Sequence, residues 1–184
     1  MGKLFVISGA SGVGKSTVLR QVMEQRKDLS FSVSATTRAP RPGETEGVSY
    51  YFVSKDVFLD MIEKKQFLEY DAHMDNYYGT PIKQLEEKME KGHVILDIDP
   101  NGAFRVRKAK EDACLIFIAP PSLEELGRRL RGRGDTSEEQ IAVRSQRAQW
   151  EMEMGKQYDY YVVNDQVDAC VDEILKIIAE KADC

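Results

Sequence analysis

Residues 3–17 read KLFVISGASGVGKST, and few stretches of this length restrict a fold so tightly. Leu4, Phe5, Val6 and Ile7 form a short apolar run rich in β-branched and aromatic residues, the composition of a buried strand. The run ends at Gly9-Ala10-Ser11-Gly12-Val13-Gly14-Lys15-Ser16, which matches the phosphate-loop pattern of Gly, four residues, Gly-Lys-Ser. The glycines let the backbone press close to an anion. Its N–H groups then form a nest for phosphate oxygens. A helix predicted over 16–25 adds the positive end of its dipole at the same place. Lys15 supplies a full charge to β and γ phosphates, and the Ser16 hydroxyl a ligand for Mg²⁺. A glycine-rich surface turn with a chance lysine matches the same pattern; the strand before it and the helix after it separate the two readings. Residues Gly9 to Thr17 therefore predict a nucleotide's phosphates, without choosing the nucleotide or the reaction.

Downstream, the pattern alternates. Strands are predicted over 31–34, 50–53, 94–98, 115–118 and 160–163. Helices are predicted over 55–65 (capped by Ser54, with Val57, Phe58, Met61 and Ile62 on one face), from Pro81 to Gly92, over 103–110, after Ser122, from Thr136 to about 154, and over 167–181. Ser122 with Glu125, and Thr136 with Glu139, have capping-box spacing. Such alternation predicts an α/β layer fold with a parallel sheet. The interval 33–80 breaks the rhythm: 35–44 is a loop carrying two prolines, a glycine, Arg38 and Arg41, and 67–78 reads as irregular or short-stranded. This interval is expected to be a small inserted subdomain facing the phosphate loop, in a chain of 184 residues that forms one domain.

The formal net charge of −5 argues against a nucleic-acid-coating protein, so any basic site must be local. Cys114, Cys170 and Cys184 lack metal-site spacing and suit a reducing compartment. Met1 leads straight into the first strand without a secretory h-region, and no apolar run reaches membrane-spanning length. A cytoplasmic location is expected, with neither nucleic-acid nor membrane partners; a homo-oligomer stays open.

Arg38, Arg41, Tyr50 and Tyr78, converging on one pocket, would bind a dianionic monophosphate, because arginine forks match its oxygens and phenols donate to the rest. Solvated arginines and packed tyrosines are the competing explanation. The wider pattern decides. SGASGVGKST, SVSATTRAPRPGETEGVSYYFV, FLEYDAHMDNYYGTP, VILDID, RLRGRGDTSEEQIAVR and YDYYVVND follow one another over nearly the whole chain, and together they resemble the guanylate kinase family.

That resemblance implies a P-loop NTPase-type parallel sheet flanked by helices, with a core at 1–32, 81–125 and 156–184. It also implies a GMP-binding subdomain at 33–80 and a mobile lid at about 126–155. The implied reaction is transfer of the γ-phosphoryl group of ATP to GMP, and to dGMP with it, giving ADP and GDP in purine nucleotide metabolism. By the resemblance, Arg38, Arg41, Tyr50 and Tyr78 hold the GMP phosphate, while Glu69, Ser34 and Thr80 read guanine. The chemistry agrees: guanine offers N1–H and N2–H₂ to one carboxylate and O6 to a hydroxyl, whereas adenine would leave Glu69 unpaired.

Arg131 and Arg144 are implied to close on the phosphates and to share catalysis with Lys15 and Arg38. Arg128, Arg129 and Arg147 are read as solvated or salt-bridged helix surface. Asp97 and Asp99, at i and i+2 on the end of a strand, face one side and can position Mg²⁺ through water, Asp99 also contacting GMP. Asn164 matches the family position near adenine. The chain departs from the family pattern at Pro100-Asn101, in the residue order of GRGDTSEE, and at Arg147 and Trp150.

Three other readings compete. A scaffolding module of the same fold would have a degraded phosphate loop. A kinase of phosphorylated sugars would not need the base-reading set of Glu69, Ser34 and Thr80. A signalling GTPase would need an NKxD motif, which the chain lacks.

Overall fold

The computed structural model describes residues 1–73, 75–131 and 137–182. In chain order the elements are β1 (Leu4–Gly9), α1 (Lys15–Gln25), β2 (Leu29–Phe31), β3 (Ala35–Thr36), β4 (Tyr51–Phe52), α2 (Lys55–Glu63), β5 (Phe67–His73) and β6 (Asn76–Pro81). They continue with α3 (Ile82–Met89), β7 (His93–Asp97), α4 (Pro100–Ala109), β8 (Cys114–Ala119), α5 (Leu123–Arg131), α6 (Glu138–Gly155), β9 (Tyr160–Val163) and α7 (Val167–Ala182).

Five strands form a parallel sheet in the order β2-β7-β1-β8-β9. Its central strands are continuous apolar runs because helices cover both faces. Phe5, Val6, Ile7, Val94, Ile95, Ile116 and Phe117 are all fully buried. Each such large side chain contributes on the order of 1.5–3 kcal/mol by leaving water. β1 lies between β7 and β8, so the loop that follows it opens at the carboxyl edge of the sheet, where ligands bind in open α/β folds.

A second sheet, β4-β3-β6-β5, is built entirely from residues between β2 and α3. Here the structure is more regular than expected. Residues 67–78, expected to be irregular or short-stranded, form most of the antiparallel β5–β6 hairpin. Its aromatics pack across the sheet and onto α2: Phe58 stacks on Phe67 at 4.3 Å and lies 5.4 Å from Tyr77. That packing, invisible to a period count, overrides the mixed polarity of the segment.

Smaller shifts have local causes. Of the predicted strand at 31–34 only Phe31 is extended in a sheet, at the end of β2; β3 follows inside the expected loop and belongs to the second sheet. Val57 is 49% exposed, while Phe58 alone of the expected α2 face is fully buried. Pro81 ends β6 and precedes α3 instead of opening it. α4 starts earlier than predicted because the Asp99 carboxylate accepts from Gly102 N–H, with Pro100 as the first helical residue. The capping box of α6 is formed by Ser137 and Gln140, one residue beyond the expected pair. Thr136 and most of the expected lid loop, 132–136, lie outside the described residues, as does Cys184.

Candidate active site

Backbone geometry makes the phosphate loop. Gly14 has φ of 93° at the N-cap of α1, and Gly12 has φ of 89°, values that side chains resist. A Cβ on Gly12 would also lie 2.6 Å from Leu130 Cδ2, so α5 packs directly on the loop. Two side chains from distant sequence fix it further. Asn164 Nδ2 donates to Val13 O at 2.8 Å, and Glu151 Oε2 accepts from Ser11 N–H at 2.8 Å. Lys15 Nζ donates to the Asp97 carboxylate.

This loop, from Gly9 through Thr17, lines a cavity of about 620 Å³. Asp97 and Asp99 close one side and Arg144, Arg147 and Glu151 another. Spacings of three and seven residues put the last three on one face of α6. Arg147 Nε donates to Glu151 Oε1 at 3.0 Å, so this arginine, expected on a solvated or salt-bridged helix surface, forms its salt bridge beside the loop. Arg128 and Arg129 both pair with Glu125, and Arg129 also donates to Asn164 O at 2.9 Å. Arg131 ends α5 exposed and does not line this cavity.

A second cavity of about 230 Å³ is lined by Ser34, Tyr50, Glu69, Asp71, Tyr78, Asp97, Asp99 and Arg105. Asp97, Ile98 and Asp99 line both cavities, so the end of β7 stands between them. The strand register explains Glu69. A shift between Phe67 and Glu69 places it opposite Thr80, whose hydroxyl donates to Glu69 Oε1 at 2.7 Å. Both side chains are buried. Burial pushes the Glu69 carboxyl above the usual carboxylate range, and Thr80 and Arg105 pull part of it back. Burial likewise raises the Tyr50 phenol.

The expected phosphate set is partly assembled. Tyr50 and Tyr78 meet edge to face at 6.1 Å, and the Arg38 guanidinium lies over the Tyr50 ring at 5.4 Å. Arg38, however, is turned to Glu44, with both carboxylate oxygens at 2.8 and 3.0 Å. That pairing stabilises the guanidinium and holds the Glu44 carboxyl below its usual range. Arg41 is exposed, its backbone N–H donating to Glu44, and it does not line the cavity. Asp97 ends β7 whereas Asp99 has left the strand to cap α4, so the strand-alternation argument does not apply to the pair. Asn164 is 2% exposed, and its Oδ1 has no hydrogen-bond partner among the described residues.

Four charged residues lining these cavities are not among the expected site residues: Glu151, Arg147, Asp71 and Arg105. The i, i+4 spacing of Arg147 and Glu151, and the two helical turns from Arg144 to Glu151, were signals present in the sequence. Nothing in the sequence pattern ties Arg105 to Glu69.

A parallel sheet with a phosphate loop after its central strand, facing a separate polar pocket across two carboxylates, defines a P-loop phosphotransferase. Comparison with known proteins narrows this. The guanylate kinase family model matches residues 1–181. The chain is 45% identical over 177 residues, 96% of each chain, to a guanylate kinase from Prochlorococcus marinus subsp. pastoris. It is 47% identical over 178 residues, 96% of this chain and 87% of the relative, to one from Halalkalibacterium halodurans. The crystal structure of guanylate kinase from Anaplasma phagocytophilum superposes with a TM-score of 0.77 at 34% identity, covering 98% of this chain and 86% of that one. The chain belongs to the guanylate kinase family, enzymes that phosphorylate GMP with ATP.

Proposed function

We propose that this protein binds ATP on Gly9–Thr17 and GMP, or dGMP, in the pocket of residues 34–80, and transfers the γ-phosphoryl group between them to give ADP and GDP. The observation that carries this reading is that Asp97, Ile98 and Asp99 line both cavities, which sets two ligands end to end as in-line transfer requires. Lys15 accompanies the transferring phosphoryl group, and its bond to Asp97 is exchanged for phosphate oxygens when ATP binds. Arg144 already faces the same cavity; Arg131 approaches from the end of α5. Arg38 and Arg41 take the GMP phosphate with Tyr50 and Tyr78, Arg38 leaving Glu44 to do so. Glu69 accepts N1–H and N2–H₂, and the Ser34 and Thr80 hydroxyls complete the base contacts. Asn164 Oδ1, buried without a donor, lies on the adenine side.

The donor set also fits Mg²⁺. The Ser16 hydroxyl and the Asp97 and Asp99 carboxylates are hard oxygen donors around one cavity. No group of three or more His, Cys, Asp or Glu able to hold a metal occurs among the described residues, as suits an ion that takes most of its ligands from phosphate and water. When bound, Mg²⁺ neutralises charge on the β and γ oxygens. Ser16 would contact it directly and Asp97 or Asp99 through water.

No helix among the described residues is long and apolar enough to cross a membrane. Small-molecule substrates, a cytoplasmic location, and a core carrying a GMP-binding subdomain and a lid complete the reading. A coupled assay of ADP release with ATP and Mg²⁺, against GMP, dGMP, AMP, UMP and ribose phosphates, tests it. Turnover should be confined to GMP and dGMP; negligible GMP turnover would overturn it.

A further inference from the structure

The carboxylate expected to read guanine is held from one side only. Glu69 Oε1 takes the Thr80 hydroxyl at 2.7 Å, while no hydrogen bond to Oε2 occurs among the described residues. On that side stands Arg105 of α4, with Nη2 4.0 Å from Glu69 Oε2 and 3.2 Å from Asp71 Oδ2. Its Nε and Nη2 are buried, yet neither has a hydrogen-bond partner among the described residues. Two acids also act on Glu69 at close range, Asp99 and Asp71. Gly102 leaves the space in which Asp99 approaches: a Cβ there would lie 3.3 Å from both Glu69 Oε2 and Asp99 Oδ1. Asp71 flanks the opposite side, and Asp97 lines the same cavity. Arg105 is thus a cation beside a buried carboxylate that has Asp71 and Asp99 for neighbours.

We propose that Arg105 is a specificity-determining positioning residue, which, anchored by Asp71, holds Glu69 Oε2 in the orientation that tells a 2-amino purine from one without that group. The inference rests on the assignment of guanine to this pocket. Its logic is geometric. A carboxylate accepts N1–H and N2–H₂ together only when both oxygens lie in the plane of the base. Thr80 fixes one oxygen; repulsion from Asp99 would turn the other away without a neighbouring cation. Inosine monophosphate keeps N1–H and lacks the 2-amino group, so it loses only the contact that depends on the second oxygen. Discrimination between GMP and IMP therefore reads the setting of Oε2, which a general loss of stability would not alter.

The experiment compares kcat/KM for GMP and IMP in the full chain and in Arg105→Gln, Arg105→Lys and Glu69→Gln. Arg105→Gln should lower the GMP-to-IMP ratio about tenfold, mostly through the KM for GMP, because a buried charged hydrogen bond is lost or misdirected. Arg105→Lys should recover part of it, the charge being kept and the fork lost. An unchanged ratio in Arg105→Gln, with Glu69→Gln collapsing it, overturns the inference and leaves the guanine pocket standing. An unchanged ratio in Glu69→Gln overturns the pocket assignment itself. Should Arg105→Gln not fold, Asp71→Asn releases the same guanidinium: a lowered ratio supports the inference and a wild-type ratio overturns it.

Discussion

The two cavities on either side of Asp97 and Asp99 are built by different means. The phosphate loop is mainly backbone, fixed by two left-handed glycines and pinned by Asn164 and Glu151 onto a sheet whose central strands are fully buried. Its shape is set before any ligand arrives. The inserted pocket is mainly side chains, contributed by a small sheet of short strands, and its charges answer one another: Arg38 to Glu44, Arg105 to Asp71. On the reading proposed above, binding there would exchange internal pairs for ligand contacts. Preorganised backbone favours rate, while exchangeable side-chain pairs favour selection among ligands.

If that contrast holds, changes at the loop should damage turnover and changes in the insert should damage recognition. Lys15→Ala should have the largest effect, lowering kcat about 10³-fold with the circular dichroism spectrum unchanged, since it removes a full charge from the transferring group. Glu69→Ala should raise the KM for GMP about 100-fold and move the KM for ATP little; an unchanged KM for GMP would break the contrast at its centre.

Asn164→Ala should raise the KM for ATP about tenfold. It should also lower stability by about 1–3 kcal/mol, because Val13 O loses its side-chain donor in a buried site; urea titration measures the latter. The Glu69 carboxyl also links pH to stability. Its folded-state pKa lies above the ordinary value, so the folded form binds the proton more tightly than the unfolded chain. Its favourable contribution is present below the ordinary carboxyl pKa and is lost as pH rises through the folded value. Glu69→Gln should therefore raise Tm at pH 7 more than at pH 4. Glu44→Gln should do least, changing the KM for GMP less than about threefold, since the pair is only partly buried and Arg38 can still reach phosphate.

The same contrast explains what could be read from the sequence. The loop is one contiguous motif whose residue types are dictated by backbone geometry, so Gly9 to Thr17 were legible at once, as were the apolar strands around them. The insert was legible only by likeness to a family. Residues 67–78 pair as a hairpin because Phe58, Phe67 and Tyr77 pack together, a tertiary cause that leaves no periodic trace. Glu69 meets Thr80 through an irregularity of register, and Arg105 meets Glu69 and Asp71 of β5 from a helix that looked merely charged. The α6 cap moved by one residue because Ser137-x-x-Gln140 offers the same chemistry as the pair beside it.

The bond from Asn164 to Val13 joins residues separated by 151 positions. During synthesis the phosphate motif leaves the ribosome long before the strand that carries its clamp. The nascent chain therefore displays the motif without the bond that fixes its loop, and gains that bond only when β9 takes its place at the edge of the sheet. The final form of the loop is thereby set later than its sequence is made.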